Sequence, residues 1–390
     1  MKEQRQSSLL AQRRVAIVHD FLVYPGGAEK VLGDLLALFP HAPVFTLLYD
    51  KDGMAPMASM LHGRRIYTSF LQKFPRWCRR HMQWLIPLMP TAPEVFDLRN
   101  YDVVISSSGA WSKGIVTRVS TVHVAYIHSP MRFVWDENVR YATARTKKRP
   151  GFFMRALFSY LRVWDFEAAQ RPDVLVANSC YTQQRIAKFY RRDATVVYPA
   201  IAPIIHKTKL KRREHFLIVA RLSEYKQVQL AVDVCTRLQL PLVVIGAGRM
   251  YDVLRKRAGA TVRILGWQPD DVLARYYATA RALLFPAEED FGLVIAEALS
   301  YGTPVIAYGR GGALEMVEPG ITGELFYAQT QEVLADGIRR FLEKEAAGGY
   351  DRDAMHTKAQ AFNVRAFHDG ILDTIEKAIA QHEATKITII

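Results

Sequence analysis

The chain has 390 residues, half of them hydrophobic and 23% charged, which excludes a disordered chain and leaves room for two domains with a core each. Its three cysteines, Cys78, Cys180 and Cys235, stand far apart, so neither a disulfide framework nor a CxxC zinc site is expected and a reducing compartment fits. The net charge of +14 is one-sided: residues 1–200 hold 28 Lys and Arg against 15 Asp and Glu, residues 201–390 hold 24 against 23, so an anionic partner is expected for the first half.

The amino terminus, MKEQRQSSLLAQRR, is polar and lacks the apolar core of a secretory signal. No apolar run approaches the ~20 residues that span a bilayer, and a cytoplasmic location is expected. The first strand-like run, VAIV at 15–18, ends in His19 and Asp20. PGGAEK at 25–30 then leads into a helix expected over residues 30–39. The paired Gly26 and Gly27 suit close approach of a phosphate to the backbone, or simply a tight turn. Residues 64–90, RRIYTSFLQKFPRWCRRHMQWLIPLMP, set Lys73, Arg76, Arg79 and Arg80 among Phe70, Phe74, Trp77, Trp84, Leu85 and Ile86. That mixture on one short element suits an interfacial helix on an anionic membrane, each basic residue adding about 1 kcal/mol. The alternative is an ordinary helix with its aromatics in the core. Lys147-Lys148-Arg149 before Gly151-Phe152-Phe153-Met154 repeats the chemistry. Further runs at 101–105 (YDVVI), 122–127 (VHVAYI), 174–177 (VLVA) and 195–198 (TVVY) complete a first series.

Residues 198–214, YPAIAPIIHKTKLKRRE, with two prolines and a dense basic run, read as a linker. A second series follows at 215–219, 242–245, 262–265, 282–285 and 304–307. Short apolar runs separated by helical patterns predict a doubly wound parallel sheet in each half. After the first run of this series, ARLSEYK at 220–226 offers Arg221 and Lys226, a planar fork and a point charge able to clamp a diphosphate. Gly246-Ala247-Gly248 resembles a dinucleotide fingerprint, but Tyr251 stands at its sixth position, so a strand-end turn is the better reading. No GxxxxGK[ST], HExxH or GxSxG occurs. The segment FPAEEDFGLVIAEALSYGTPVIA, 285–307, carries the sharpest signal. A buried strand delivers the chain to Glu288-Glu289-Asp290, Phe291-Gly292 turns it, and a helix is expected over 293–300, closed by Gly302. The free N–H groups of Gly292, Leu293 and Val294 suit a phosphate, and Glu289 and Glu297 suit hydroxyls. A sugar nucleotide carries both. Residues 367–382 read as a long amphipathic helix.

These residues carry a resemblance. The spacing of Glu289 and Glu297 matches the E-x7-E motif of retaining glycosyltransferases of family 4. The match extends through EDFGLVIAEALSYGTPVIAYGRGGALEMV, ARLSEYK and PGGAEKV, and through 101–116, 126–136 and 177–190, so that it covers nearly the whole chain. The last three segments resemble the branch that builds bacterial surface polysaccharides, often mannosyltransferases. The resemblance implies the GT-B fold, two Rossmann-like doubly wound domains facing a cleft: 1–204 for the acceptor, 205–365 for the nucleotide sugar, and a helix at 366–390 crossing back to the first. It implies that Glu297 holds the ribose hydroxyls and that Glu289 contacts the donor sugar. Gly292, Leu293 and Val294 would touch the sugar and distal phosphate, with Arg221 and Lys226 gripping the diphosphate beside Gly26 and Gly27. His128 resembles the histidine that meets the donor sugar across the cleft, and Glu315 is a further donor-site candidate. No cofactor or metal is implied. The expected partners are a nucleotide sugar, GDP-mannose first and UDP-glucose or UDP-galactose next, a lipid-diphosphate-linked glycan acceptor, and the anionic inner face of the plasma membrane, with no nucleic acid. A catalytically silent subunit of a polysaccharide assembly complex is the competing reading. The family often has Asp near Gln229 and Pro near Val294; neither departure removes a charge from the clamp.

Overall fold

The computed structural model describes residues 10, 12–136, 151–201 and 215–388, apart from the side chains of Arg80 and of residues 385–388. The chain divides into two compact units, Met1–Tyr198 with Phe367–Ile390, and Pro199–Ala366.

In the first unit seven strands make one parallel sheet: β1 (Val15–Leu22), β2 (Val44–Tyr49), β3 (Ile66–Thr68), β4 (Val103–Ser108), β5 (Val122–Ile127), β6 (Val174–Ala177) and β7 (Thr195–Val196), in the order β3-β2-β1-β4-β5-β6-β7. Parallel strands are covered on both faces and must be apolar along their length. Ala16, Ile17 and Val18 accordingly are fully buried, as are Val103, Val104 and Ile105. The chain leaves β1 toward β2 and β3, then returns to lay β4 against the other side of β1. Open sheets hold ligands where the order reverses in this way, at the carboxyl ends of the strands. β4 finishes there in Ser106, Ser107 and Ser108, all buried, so this end of the strand is committed to hydrogen bonding.

The second unit repeats the plan with six strands: β8 (Phe216–Val219), β9 (Leu242–Ile245), β10 (Val262–Gly266), β11 (Ala282–Phe285), β12 (Val305–Tyr308) and β13 (Gly323–Phe326), ordered β10-β9-β8-β11-β12-β13. Its reversal lies between β8 and β11. The helix Val364–Thr388 returns the chain to the first unit. There it buries Phe367, Ile371, Ile375 and Ile379 at every fourth position. Its Phe367 meets the Tyr126 ring edge-on at 5.8 Å, and His368 Nε2 donates to the Asp34 carbonyl at 3.1 Å.

Strands β2, β3 and β13 stand where no strand was expected. Residues 64–90 do not form one helix: Pro75, Pro87 and Pro90 divide them into β3, a 3-10 turn at Phe70–Lys73, a short helix at Arg76–Arg80 and a 3-10 stretch at Met82–Thr91. The aromatic and apolar side chains separate accordingly. Phe70, Phe74 and Ile86 pack against the core and Leu85 is buried within it, whereas Trp77 and Trp84 are 60% and 58% exposed and meet edge-on at 5.7 Å. Lys73 and Arg76 are exposed, and Arg79 Nε donates to the Phe74 carbonyl at 3.0 Å. The Arg80 side chain, the patch at 147–149 and linker residues 202–214 lie outside the described residues.

Candidate functional site

At the reversal of the second sheet, the chain leaving β11 reaches Glu289, whose carbonyl accepts the Gly312 N–H at 2.9 Å. Gly311 beside it has a left-handed φ of +68°, and a Cβ there would lie 2.1 Å from the Glu289 carbonyl oxygen. A Cβ on Gly312 would lie 2.3 Å from that of Phe291. Only glycines let the loop after β12 lie against the loop after β11, and that contact sets where Glu289 stands. Gly292, at φ +94°, opens the helix Leu293–Ser300, within the bounds read from the sequence, and no side chain caps it. Its Leu293 and Val294 are half-buried. Glu297 lies in the second turn, 8% exposed, and its Oε2 accepts the Tyr277 hydroxyl at 2.7 Å. Burial, then the neighbouring Glu297 charge, holds that phenol well above its usual range, which keeps it a donor. The Tyr277 ring in turn stacks on Tyr301, centroids 5.8 Å apart.

The chain leaving β8 is held the same way. A Cβ on Gly246 would lie 1.8 Å from the Ala220 carbonyl oxygen, and one on Gly248 2.4 Å from that of Leu222. These glycines are therefore the strand-end turn expected of them, used for backbone contact; Leu222 N–H donates to the Ala247 carbonyl at 2.9 Å. Arg221 is exposed on this loop. The turn Glu224–Lys226 then carries Lys226 to an ion pair with Glu289, both partners mostly buried, with the ammonium 5.1 Å from the centre of the Tyr225 ring. Two residues 63 positions apart thus meet at the switch point. Glu315 is half-buried on the short helix Ala313–Met316 that follows Gly311 and Gly312.

His128, Gly26 and Gly27 belong to the first unit. Gly26 caps the helix Gly27–Leu38 in extended conformation without a side-chain bond. His128 follows β5, its N–H on the Ser108 carbonyl at 2.8 Å and its own carbonyl on Asn178 Nδ2 at 2.9 Å. Its half-buried ring ends a polar row that the sequence did not disclose: His128 Nε2 lies 2.8 Å from Ser107 Oγ, Ser107 Oγ 3.0 Å from His19 Nδ1, and His19 Nε2 3.5 Å from Glu29 Oε1. Asp20 accepts the backbone N–H groups of Gly109, Ala110, Trp111 and Ser112 at 2.6–3.1 Å, fixing the loop after β4. Farther along that loop Lys113 pairs with Asp165, both fully buried, and Trp135 and Tyr190 each donate to Asp165 at 2.8 Å. The one local hint of all this was three serines closing an apolar strand. Tyr277 gave no hint, being 20 residues from Glu297.

Residues 25–203 match the family described as Glycosyltransferase Family 4, and residues 203–362 match Glycosyl transferases group 1. Each half of the chain thus matches a glycosyltransferase family model. A D-inositol 3-phosphate glycosyltransferase of Nocardioides sp. is 38% identical over 117 residues, 27% of this chain and 26% of that one. An O-antigen chain mannosyltransferase B of Escherichia coli is 32% identical over 117 residues, 27% of this chain and 31% of that one. Across the curated relatives that head the comparison, the chain spans 26% to 48% of their length. Among solved structures, Anabaena HepE in complex with UDP-glucose superposes with a TM-score of 0.68 at 19% identity, covering 93% of this chain and 99% of HepE. The fold is GT-B, with two Rossmann-like units of seven and six parallel strands.

Proposed function

We propose that this chain is a retaining hexosyltransferase that moves mannose from GDP-mannose to a polyprenyl-diphosphate-linked glycan during assembly of a bacterial surface polysaccharide. The observation that carries the reading is the Lys226–Glu289 ion pair at the reversal of the second sheet. It brings a phosphate-binding cation and a hydroxyl-binding carboxylate to one point, as a sugar diphosphate requires. Transfer at an anomeric carbon develops positive charge on the sugar and negative charge on the departing diphosphate. Lys226, Arg221 and the N–H groups of Gly292, Leu293 and Val294 answer the second; a donor aimed at such charge contributes about 2.7–4 kcal/mol where water is excluded. Glu289 binds the sugar, and Glu297, oriented by Tyr277, holds the ribose. His128 contacts the donor sugar, while Gly26, Gly27 and Glu315 bound the donor. The mannosyltransferase among the relatives supports the choice of sugar.

The basic excess of residues 1–200 and the exposed Trp77, Trp84, Lys73 and Arg76 support an anionic acceptor and an anionic membrane face for the first unit, on the cytoplasmic side. Among the described residues no helix is long and apolar enough to cross a membrane. The test is a panel of GDP-mannose, UDP-glucose and UDP-galactose with a lipid-diphosphate acceptor extract, read by mass spectrometry. A hexose-extended lipid with GDP-mannose, reduced about 10²–10³-fold in Lys226→Ala, is expected. Extension by a UDP-sugar instead replaces the donor, and no extension by any of the three, with donor binding intact, turns the reading toward a silent subunit.

A further inference from the structure

The row Glu29, His19, Ser107 and His128, buried as far as Ser107 and half-buried at His128, contains one hydroxyl between two imidazoles, and that arrangement has a direction. Ser107 Oγ touches His19 Nδ1 and His128 Nε2, but its single proton can be given to only one of them. The other ring must donate. His19 is 2% exposed, and at its far nitrogen stands the Glu29 carboxylate, 3.5 Å away and 8% exposed, on the first turn of the helix Gly27–Leu38. An ionised carboxylate only accepts, and in a buried site even a 3.5 Å approach biases the facing ring nitrogen toward N–H. With His19 neutral, Nε2–H leaves Nδ1 as an acceptor, so the Ser107 proton points toward His19. Ser107 can then only accept from His128.

We propose that Glu29, through His19 and Ser107, fixes His128 in its Nε2–H tautomer. Glu29, His19 and Ser107 are positioning residues: they are buried and act through His128, deciding which of its nitrogens carries a proton. The row crosses three elements, the helix after the first glycines, β1 and β4, before it reaches the residue that follows β5. Nothing local in the sequence links Glu29 to His128, 99 positions apart, and the hydroxyl supplies the link. The neighbouring serine shows that the role is specific to this register. Ser106, on the opposite face of β4, lies 2.8 Å from His123 Nε2 alone, and that pair is sealed in the core.

The consequence for transfer rests on the proposed role of His128 at the donor sugar; the tautomer does not. Long-range ¹H–¹⁵N correlation on histidine-labelled protein at pH 8 reads each ring nitrogen directly, with His128 assigned by loss of its signals in His128→Gln. The expected result is a protonated-type Nε2 and an unprotonated-type Nδ1 for His128. The opposite pattern in the unmodified chain overturns the proposal whatever any variant does. Glu29→Gln should shift His128 toward a mixture of tautomers, Ser107→Thr should preserve the wild-type pattern, and adding Glu29→Gln to Ser107→Ala should change nothing further. A His128 pattern indifferent to Glu29→Gln also overturns it. In the transfer assay Glu29→Gln should lower kcat about tenfold, less than the roughly 10²-fold lost with a positioned proton donor outright because the variant only mixes the tautomers, with the donor KM within about twofold. An equal loss in a Ser107→Ala background would contradict the coupling. If no donor supports transfer, the functional reading fails while the ring-nitrogen pattern still decides this one.

Discussion

The two sheets reverse strand order in the same manner and finish the reversal with different materials. In the first unit the strand ends are tied by buried polar side chains: Asp20 on four N–H groups, Ser107 between two histidines, Lys113 on Asp165. In the second they are tied by missing side chains, with Gly246, Gly248, Gly311 and Gly312 letting one main chain lie on another. Polar ties are directional and can be removed one at a time. Glycine ties are steric and admit no partial version. The first unit is therefore built to hold ring nitrogens and a loop in a set state, and the second to bring a carboxylate and an ammonium together over a fixed backbone.

The largest test of this contrast is the buried ion pair. Asp165→Ala leaves Lys113 charged, buried and without its carboxylate, and about 3–5 kcal/mol of stability should be lost in urea unfolding. A loss under 1 kcal/mol would mean the polar ties are ornamental. Next is Gly311→Ala, which should cost roughly 3 kcal/mol because the new methyl meets a carbonyl oxygen at a left-handed backbone position. Gly63→Ala, at φ +73° with nothing within 4 Å, is the control and should cost about 1 kcal/mol. Equal losses at the two glycines would remove the steric argument.

A smaller effect tests the Ser106–His123 site by pH. Burial, with help from Arg192 and Arg171, pushes His123 down to about 3. Between there and the ordinary 6.5 the unfolded chain binds a proton that the folded chain does not. Its contribution is whole above pH 6.5 and falls by about 1.4 kcal/mol per unit as pH drops, roughly 2 kcal/mol at pH 5. His123→Gln should flatten that part of the urea-midpoint profile between pH 7 and 5, and an unchanged profile would contradict it. Smallest of all, Tyr277→Phe keeps the ring stack and deletes one bond to Glu297. It should weaken nucleotide-sugar binding about tenfold in calorimetry while moving stability by about 1 kcal/mol. Unchanged binding would leave Glu297 oriented without Tyr277.

How much of this was legible follows the distance between partners. The helix Leu293–Ser300 could be read from Gly292 and Gly302, and the sheet class from uninterrupted apolar runs, because both are local. β13 escaped because it opens with Gly323, where a Cβ would lie 1.9 Å from the Val305 carbonyl oxygen, and continues with Glu324, a charge paired to Arg340. Taken alone, such residues read as a turn. β3 is three residues long and follows two arginines. The mixed segment at 64–90 was misread as one helix although its prolines were in view; composition outweighed backbone chemistry. The polar ties were out of reach: Asp20 meets its loop 89 to 92 residues away and Lys113 meets Asp165 after 52, spans that no periodicity encodes. Lys226 and Glu289 were each singled out, but their meeting was not.

The helix Val364–Thr388 sets a schedule for synthesis. Phe367, Ile371, Ile375 and Ile379 complete the core of a unit whose other residues end at Tyr198. At about 5–20 residues per second, the ribosome needs roughly 10–30 s to make the intervening 199–366 stretch. The second unit is contiguous and can finish on the ribosome. The first must stand with the Tyr126 ring and the Val197 side chain uncovered until the closing helix emerges, so it is the early-made half of the polypeptide that would look to a chaperone during translation.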